Sequence, residues 1–221
     1  MIAEELINHM IPPLKLNDDA HKAMLWMEEL RSNQLPVVDS EKFLGLITEE
    51  MILEENDVDK RIGDFELLGT DCIVSKDTHF YDIIKLASDY KVQMVGVANE
   101  ENKYIGVITI QDTVTSFAQT AAIQMAGGIL VFSMNERDYS LSELSRLIEE
   151  ENAKILSSTV KEDELNPLKI KLTIKINKTD LSNIVATLER FGYKIIARFQ
   201  ETKVNEGEKE KLDQLLRFLD I

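Results

Sequence analysis

The sequence predicts an α/β chain in two unequal parts, a tandem β-α-β-β-α repeat followed by a smaller α+β unit of βαββαβ order. Three observations carry this. A short strand end occurs twice, as Gly45-Leu46-Ile47-Thr48 and Gly106-Val107-Ile108-Thr109, and self-similarity at a fixed spacing signals a repeated structural unit. An amphipathic helix pattern precedes each copy. After Ala126-Gly127-Gly128 the pattern changes to strands and helices with no counterpart in the first half.

In the first copy, Ala20, Ala23, Met24, Met27 and Leu30 share one helical face; in the second, Phe80, Ile83, Ile84, Ala87 and Tyr90 do. Both sets follow the i, i+3, i+4, i+7 spacing of an amphipathic helix. Asp19 is the expected N-cap of the first helix, and Asp77 or Thr78 of the second. Short strands open the copies, Leu14-Lys15-Leu16 and Cys72-Ile73-Val74. Apolar strands follow the helices, Leu35–Asp39 and Val95–Asn99, each turning through a polar stretch into the Gly-x-Ile-Thr strand as a β-hairpin. A second helix closes each copy, near 49–55 and 110–125. One such unit exposes two apolar helix faces and part of a sheet, whereas two copies bury them around a pseudo-twofold axis. Packing alone accounts for every apolar position in the repeat.

In the second half, residues 129–134 read as a buried strand. Ser140 and Glu143 form a capping-box pair ahead of a helix whose apolar face is Leu141, Leu144, Leu147, Ile148 and Ile155. Residues 156–160 form a second strand. Leu168, Ile170, Leu172, Ile174 and Ile176 alternate with Lys169, Lys171, Thr173, Lys175 and Asn177, the mark of a half-buried antiparallel strand. A helix from Asp180 stops at Gly192, and residues 194–199 complete a ferredoxin-like sheet. The expected boundaries are 1–62 and 63–126 for the repeats, 127–202 for the βαββαβ domain, and 203–221 for a charged linker ending in a short amphipathic helix with Leu212, Leu215, Leu216 and Leu219 on one face.

Composition narrows the functional classes. The 221 residues suffice for real hydrophobic cores, and 44% hydrophobic with 29% charged residues is ordinary for a globular protein. A net charge of −15 repels phosphate backbones and anionic membranes. Cys72 is the single cysteine, which excludes an intrachain disulfide and an all-cysteine zinc site. No apolar run approaches the ~18 residues of a membrane span. The expectation is a cytoplasmic protein. His9, His21 and His79 are the three histidines, and no phosphate loop, paired-histidine metal motif or nucleophile elbow accompanies them. No enzyme is expected.

At these residues the first half resembles a tandem pair of CBS domains. The resemblance covers roughly residues 1–125 and rests on Leu35-Pro36-Val37-Val38-Asp39, the two Gly-x-Ile-Thr strand ends and the helix before each hairpin. It implies regulation of a partner through AMP, ADP, ATP or another adenosyl ligand held between the repeats, and hence an energy-sensing role; it implies no required cofactor. In that family a Gly-x-x-Thr/Ser-x-x-Asp pattern marks the ligand cleft. A helix start attracts phosphate through its amides and dipole, and a carboxylate one turn later can accept hydrogen bonds from both ribose hydroxyls. Gly106, Thr109 and Asp112 keep the pattern, whereas Met51 stands where the first copy would carry the Asp. One good ribose site is therefore expected. By resemblance its neighbours are Asp71, Cys72 and Ile73 on the opening strand, and Val95, Gly96 and Val97 on the central one. Helix capping is the bland role of Thr109 and Asp112. No Arg or Lys is near the motif in sequence, which favours AMP or a neutral nucleoside over a triphosphate.

The second half looks like an ACT domain. Such domains often bind an amino acid at a glycine in the turn after their first strand, but here the turn is Asn135–Ser140 with no Gly and with Tyr139. Pairing of two such sheets in a homodimer is the fallback role. A CBS pair joined to one ACT-like domain is similar to the acetoin-utilisation regulatory protein family, which implies a stand-alone regulator acting on an unknown partner protein. A ligand-free oligomeric adaptor and an amino-acid sensor are the alternatives.

Overall fold

The computed structural model describes residues 1–164 and 166–200. The expected C-terminal helix and its leucine stripe lie outside these residues. The chain divides into two compact units, Met1–Ala118 and Gln119–Ile221, so the division falls earlier than the expected boundary at 126.

In the first unit the repeat is visible element by element. Helix α1 (Ala20–Leu30) is followed by strands β1 (Gln34–Asp39) and β2 (Lys42–Thr48) and helix α2 (Glu49–Glu55). After β3 (Ile73–Ser75), helix α3 (Phe80–Tyr90), strands β4 (Met94–Ala98) and β5 (Tyr104–Thr109) and helix α4 (Ile110–Ala118) repeat the order. β1 pairs antiparallel with β2, and β4 with β5; each ladder shifts register once, at Val37/Val38 and Val97/Ala98. β3 runs parallel to β4, whereas the opening strand of the first copy is reduced to one parallel bridge, Leu14 with Val37.

Local chemistry sets the helix ends. The Asp19 carboxylate accepts the Lys22 N–H at 2.8 Å and caps α1 as expected. α3 is capped instead by His79, whose Nδ1 accepts the Tyr81 N–H at 3.4 Å, so neither Asp77 nor Thr78 has that role. Both helices end on a left-handed basic residue, Arg31 with φ 52° and Lys91 with φ 55°. The last helix of the repeat stops at Ala118, and a separate short helix, α5 (Ala121–Gln124), follows Thr120, where one helix over 110–125 was expected.

The segments joining the copies cross over. Ala3 and Leu6 are buried in the core of the second repeat with Phe80, Ile83, Val95 and Ile108. Ile62 and Phe65 are buried in the core of the first with Ala23, Met27, Leu35 and Ile47. Antiparallel bridges fix both crossings, Asn8 with Val107 and Leu68 with Leu46. This explains the repeated glycine. A Cβ on Gly106 would stand 2.5 Å from Ile7 Cγ2, and one on Gly45 2.9 Å from the Leu68 carbonyl oxygen; their φ values are +157° and +142°.

The second unit has the expected βαββαβ order: β6 (Gly128–Asn135), α6 (Leu141–Glu150), β7 (Ile155–Glu162), β8 (Lys169–Ile176), α7 (Ser182–Arg190) and β9 (Ile195–Phe199). The sheet order is β7-β8-β6-β9, antiparallel throughout. Ile170, Leu172, Ile174 and Ile176 are buried against Leu130, Phe132, Leu144, Leu147 and Leu188. Leu141 is exposed and Ile155 begins β7, so neither extends the buried face of α6. Gly127 and Gly128 are close-packing positions: a Cβ on the first would overlap the Ile176 carbonyl, and one on the second would stand 2.5 Å from Leu181 Cδ1. The β6–α6 turn holds a short 3-10 segment, Glu136–Asp138, after which Tyr139 packs against the core.

Candidate functional site

The start of α4 opens on a cavity of about 480 Å³ inside the first unit. Thr109 is the last residue of β5, and Asp112 lies in the first turn of α4. The Thr109 hydroxyl donates to Asp112 Oδ2 at 2.6 Å and accepts the Asp112 N–H at 2.9 Å. Asn8, on the crossing N-terminal segment, donates its side-chain amide to the same Oδ2 at 2.8 Å. Two donors therefore orient the carboxylate, and among the described residues nothing bonds its Oδ1. A fixed carboxylate with an open acceptor suits neighbouring hydroxyl pairs such as those of a ribose.

The other walls come from both repeats. Met10 and Ile11 follow Asn8; Leu30, Arg31 and Ser32 come from the end of α1; Gln93 and Met94 lead into β4. Of the nine residues expected at the site, Thr109 and Asp112 line this cavity. Cys72, Val95 and Val97 are fully buried. Gly96 is closed off by the Phe43 ring, which would stand 3.0 Å from a Cβ there, and Gly106 by Ile7. Ile73 is half-buried in the sheet and Asp71 is exposed; neither lines the cavity.

The crossing explains the difference. The chain running past β5 is 8–11, whereas the segment leading to Asp71 and Cys72 bridges to β2 at Leu46. Burial raises the Cys72 thiol pKa to about 11, which keeps it neutral and unreactive. Asn8, Arg31 and Gln93 escaped the sequence reading because each reaches the site through a long-range contact. The Arg31–Lys91 correspondence at the two helix ends was the available signal.

A second cavity, of about 720 Å³, surrounds the start of α2 in the first repeat. Thr48 caps that helix, its hydroxyl accepting the Met51 N–H at 3.1 Å. Lys91 occupies the place that Arg31 has in the other cavity, and Leu68 that of Asn8. Met51 supplies no carboxylate there, while Glu49, Glu50 and Glu54 make the lining acidic. Among the described residues no group of three or more His, Cys, Asp and Glu side chains is placed to hold a metal ion, and no helix is long and apolar enough to cross a membrane.

Residues 64–118 match the CBS domain family. The chain thus carries a CBS domain, and the match falls on the repeat that holds Thr109 and Asp112. Among curated proteins it is 28% identical over 112 residues to an inosine-5'-monophosphate dehydrogenase of Methanocaldococcus jannaschii, a match spanning 50% of this chain and 22% of that enzyme. It is 34% identical over 79 residues to an uncharacterized protein of the same organism, covering 35% of this chain and 26% of that one. The chain thus covers about a quarter of each relative, 22% and 26% of their lengths. A solved CBS domain pair/ACT domain protein from Thermotoga maritima aligns with a TM-score of 0.48 at 17% identity, covering 54% of this chain and 98% of that chain.

Proposed function

We propose that this protein is a regulatory sensor of an adenosine nucleotide, bound in the cavity at Thr109 and Asp112, and that it passes the occupied state to a partner protein. One observation carries the reading. Asp112 is held by Thr109 and Asn8 with an acceptor oxygen left open, in a cavity walled by both repeats. The ribose hydroxyls donate to that oxygen, and apolar Met10, Ile11, Leu30 and Met94 offer a surface for the base. Because the lining includes Leu30, Arg31 and Ser32 from the first repeat and Gln93, Gln111 and Asp112 from the second, a ligand there contacts both repeats at once. Such differential contact is what allows a small molecule to bias a conformational equilibrium. On the same reading the chain acts in the cytoplasm as a homodimer of acetoin-utilisation-regulator architecture, needs no cofactor and catalyses no reaction.

Thermal denaturation of the full chain tests the reading. AMP, ADP or ATP at a hundredfold excess over its Kd should stabilise the fold by about 2.7 kcal/mol through mass action. Asp112→Ala should abolish the shift while leaving the unliganded transition cooperative. No shift with any adenosyl ligand would reject the proposal.

A further inference from the structure

We infer that residues 212–220 dock as an amphipathic helix on the outer face of the second unit's sheet, over β6 and β9. The pleat sorts that sheet into two faces. Leu130 and Phe132 in β6, and Leu172 and Ile174 in β8, point to the side where Leu144 of α6 and Leu188 of α7 pack. Their neighbours along each strand point the other way. Directly paired residues share a face, so the register sets Ile129 beside Phe199 and Val131 beside Ala197 on the outer side. It also sets Lys171, Thr173 and Lys175 of β8 there, opposite Ser133, Val131 and Ile129. The outer face is therefore apolar over β6 and β9 and cationic along β8.

Among the described residues of this unit, nothing covers the apolar half. Phe199 is 60% exposed, and Ile129, Val131 and Ala197 beside it are only half-buried. The short helix α5 reaches the other half: it contacts β7, and Lys175 Nζ donates to the Ile123 carbonyl at 3.2 Å. A row of apolar side chains along two adjacent strands gains stability from an apolar cover.

The chain itself supplies that cover. The described residues end at Gln200, one position past β9, and the sequence runs on to Ile221. Because Phe199 pairs with Ile129, the chain leaves the sheet at the edge of the apolar half. Residues 201–211 reach at most about 36 Å, and four strands ~4.8 Å apart are about 15 Å across. The link is thus long enough to turn back over the sheet. At about 100° per residue, Leu212, Leu215, Leu216 and Leu219 share one helical face, with Asp213 and Asp220 along one border of it. The sheet offers the matching asymmetry, an apolar surface with lysines along one border. Leucines laid on Ile129, Val131 and Phe199 bring that border to Lys171 and Lys175. Lys171 already holds Asp163 at 3.4 Å, and an ammonium has further N–H groups to share. A helix this short takes its stability from the surface it packs on. The tether favours the chain's own segment over that of a second copy, since it holds the segment at high effective concentration.

Amide hydrogen exchange of the full chain tests this, with the free peptide 201–221 as reference. Amides of residues 216–220 should exchange about tenfold more slowly in the chain than in the peptide, and those of 202–207 at the peptide's rate. Phe199→Ser, at a side chain that is already exposed, should remove the protection, as should Leu215→Ser combined with Leu216→Ser. Protection should not change with protein concentration, because the contact is within one chain. A carbodiimide, which joins a carboxylate to an amine in contact with it, should link Asp213 or Asp220 to Lys171 or Lys175 in the unmodified chain. That link keeps the test decisive if Phe199→Ser fails to fold. Protection that rises with concentration would give the face to a second copy and overturn the inference. Exchange at the peptide's rate, protection that survives Phe199→Ser, or absence of the link would overturn it too.

Discussion

The two clefts of the first unit are built from the same parts and differ in a few side chains. Each has a threonine at a helix start, a crossing segment over a glycine, and a basic residue from the far repeat. One cleft has Asp112, Asn8 and Arg31; the other has Met51, Leu68 and Lys91 with three glutamates. The backbone arrangement is therefore what the duplication preserves, and the ligand chemistry is carried by side chains free to diverge upon it. Met51 leaves the Thr48 hydroxyl nothing to orient except its own helix, so the threonine there is a cap; Thr109 is a cap and a holder of the carboxylate.

Substitutions that act on one copy sharpen this comparison. The largest effect is expected at the two strand glycines. Gly45→Ala places a methyl against the backbone carbonyl of Leu68, which cannot rotate away, while Gly106→Ala meets the side chain of Ile7. Both also force a side chain into positive φ. Loss of about 3 kcal/mol is expected for Gly45→Ala and about 1–2 kcal/mol for Gly106→Ala, from strain at special φ and overpacking, measured by urea denaturation. Equal losses would show that the two crossings are not packed differently.

A smaller effect separates the helix-to-strand joints. Gln34 is buried, and its Oε1 accepts the Gln93 N–H at 2.9 Å; the equivalent position in the second repeat is the buried Met94. Gln34→Met makes the two copies alike and removes the acceptor. A loss of about 1 kcal/mol is expected, the ordinary net value of one hydrogen bond, in the same denaturation experiment. No loss would mean that solvent replaces the acceptor at Gln93.

Between these two scales a chemical probe reads burial directly. Cys72 is fully buried, and its thiol pKa is raised to about 11. The thiolate is the reactive species, so alkylation by iodoacetamide at pH 8 should be negligible in the folded protein and should go to completion in denaturant. Fast labelling of the native chain would place Cys72 at a surface and return it to the list of cleft residues.

Sequence periodicity revealed the repeat because both helices and both hairpins are patterned locally: Ala20, Ala23 and Met27 in one copy, and Phe80, Ile83 and Ala87 in the other, are all buried. It also revealed the alternation of β8. Where the helical pattern was extended to Ile84, Tyr90 and Leu141, those side chains proved exposed, since an apolar residue at the margin of a stripe need not reach the core. Thr109 and Asp112 were legible because their contact spans three residues. Asn8 reaches Asp112 across 104 positions, and no local pattern encodes such a contact. The crossing of the joining segments was hidden for the same reason, and with it Asp71, Cys72 and Ile73, named by family resemblance, do not line the cavity at Thr109 and Asp112.

The last test concerns the pair that the duplication sets face to face. Phe43 in β2 and Tyr104 in β5 are equivalent residues, and their rings stack with centroids 6.2 Å apart and planes 13° from parallel. They differ by one hydroxyl. That hydroxyl is buried and has no hydrogen-bond partner among the described residues, and burial holds its pKa far above the usual phenol range. An unmade hydrogen bond in such a place costs stability, and the ring contributes apolar contact whether or not the oxygen is present. Tyr104→Phe should therefore stabilise the protein by about 1 kcal/mol, the low end of the desolvation penalty for an unsatisfied buried group. The sign also has a pH test. With a folded-state pKa above the unfolded one, the neutral phenol's contribution is complete below about pH 10, the ordinary tyrosine value, and declines as pH rises further. The stability of the Phe variant should accordingly fall less steeply above that pH than that of the unmodified chain. A destabilised variant would mean that the hydroxyl has a partner, such as an ordered water, and that the asymmetry between the two repeats is bonded at their shared ring pair.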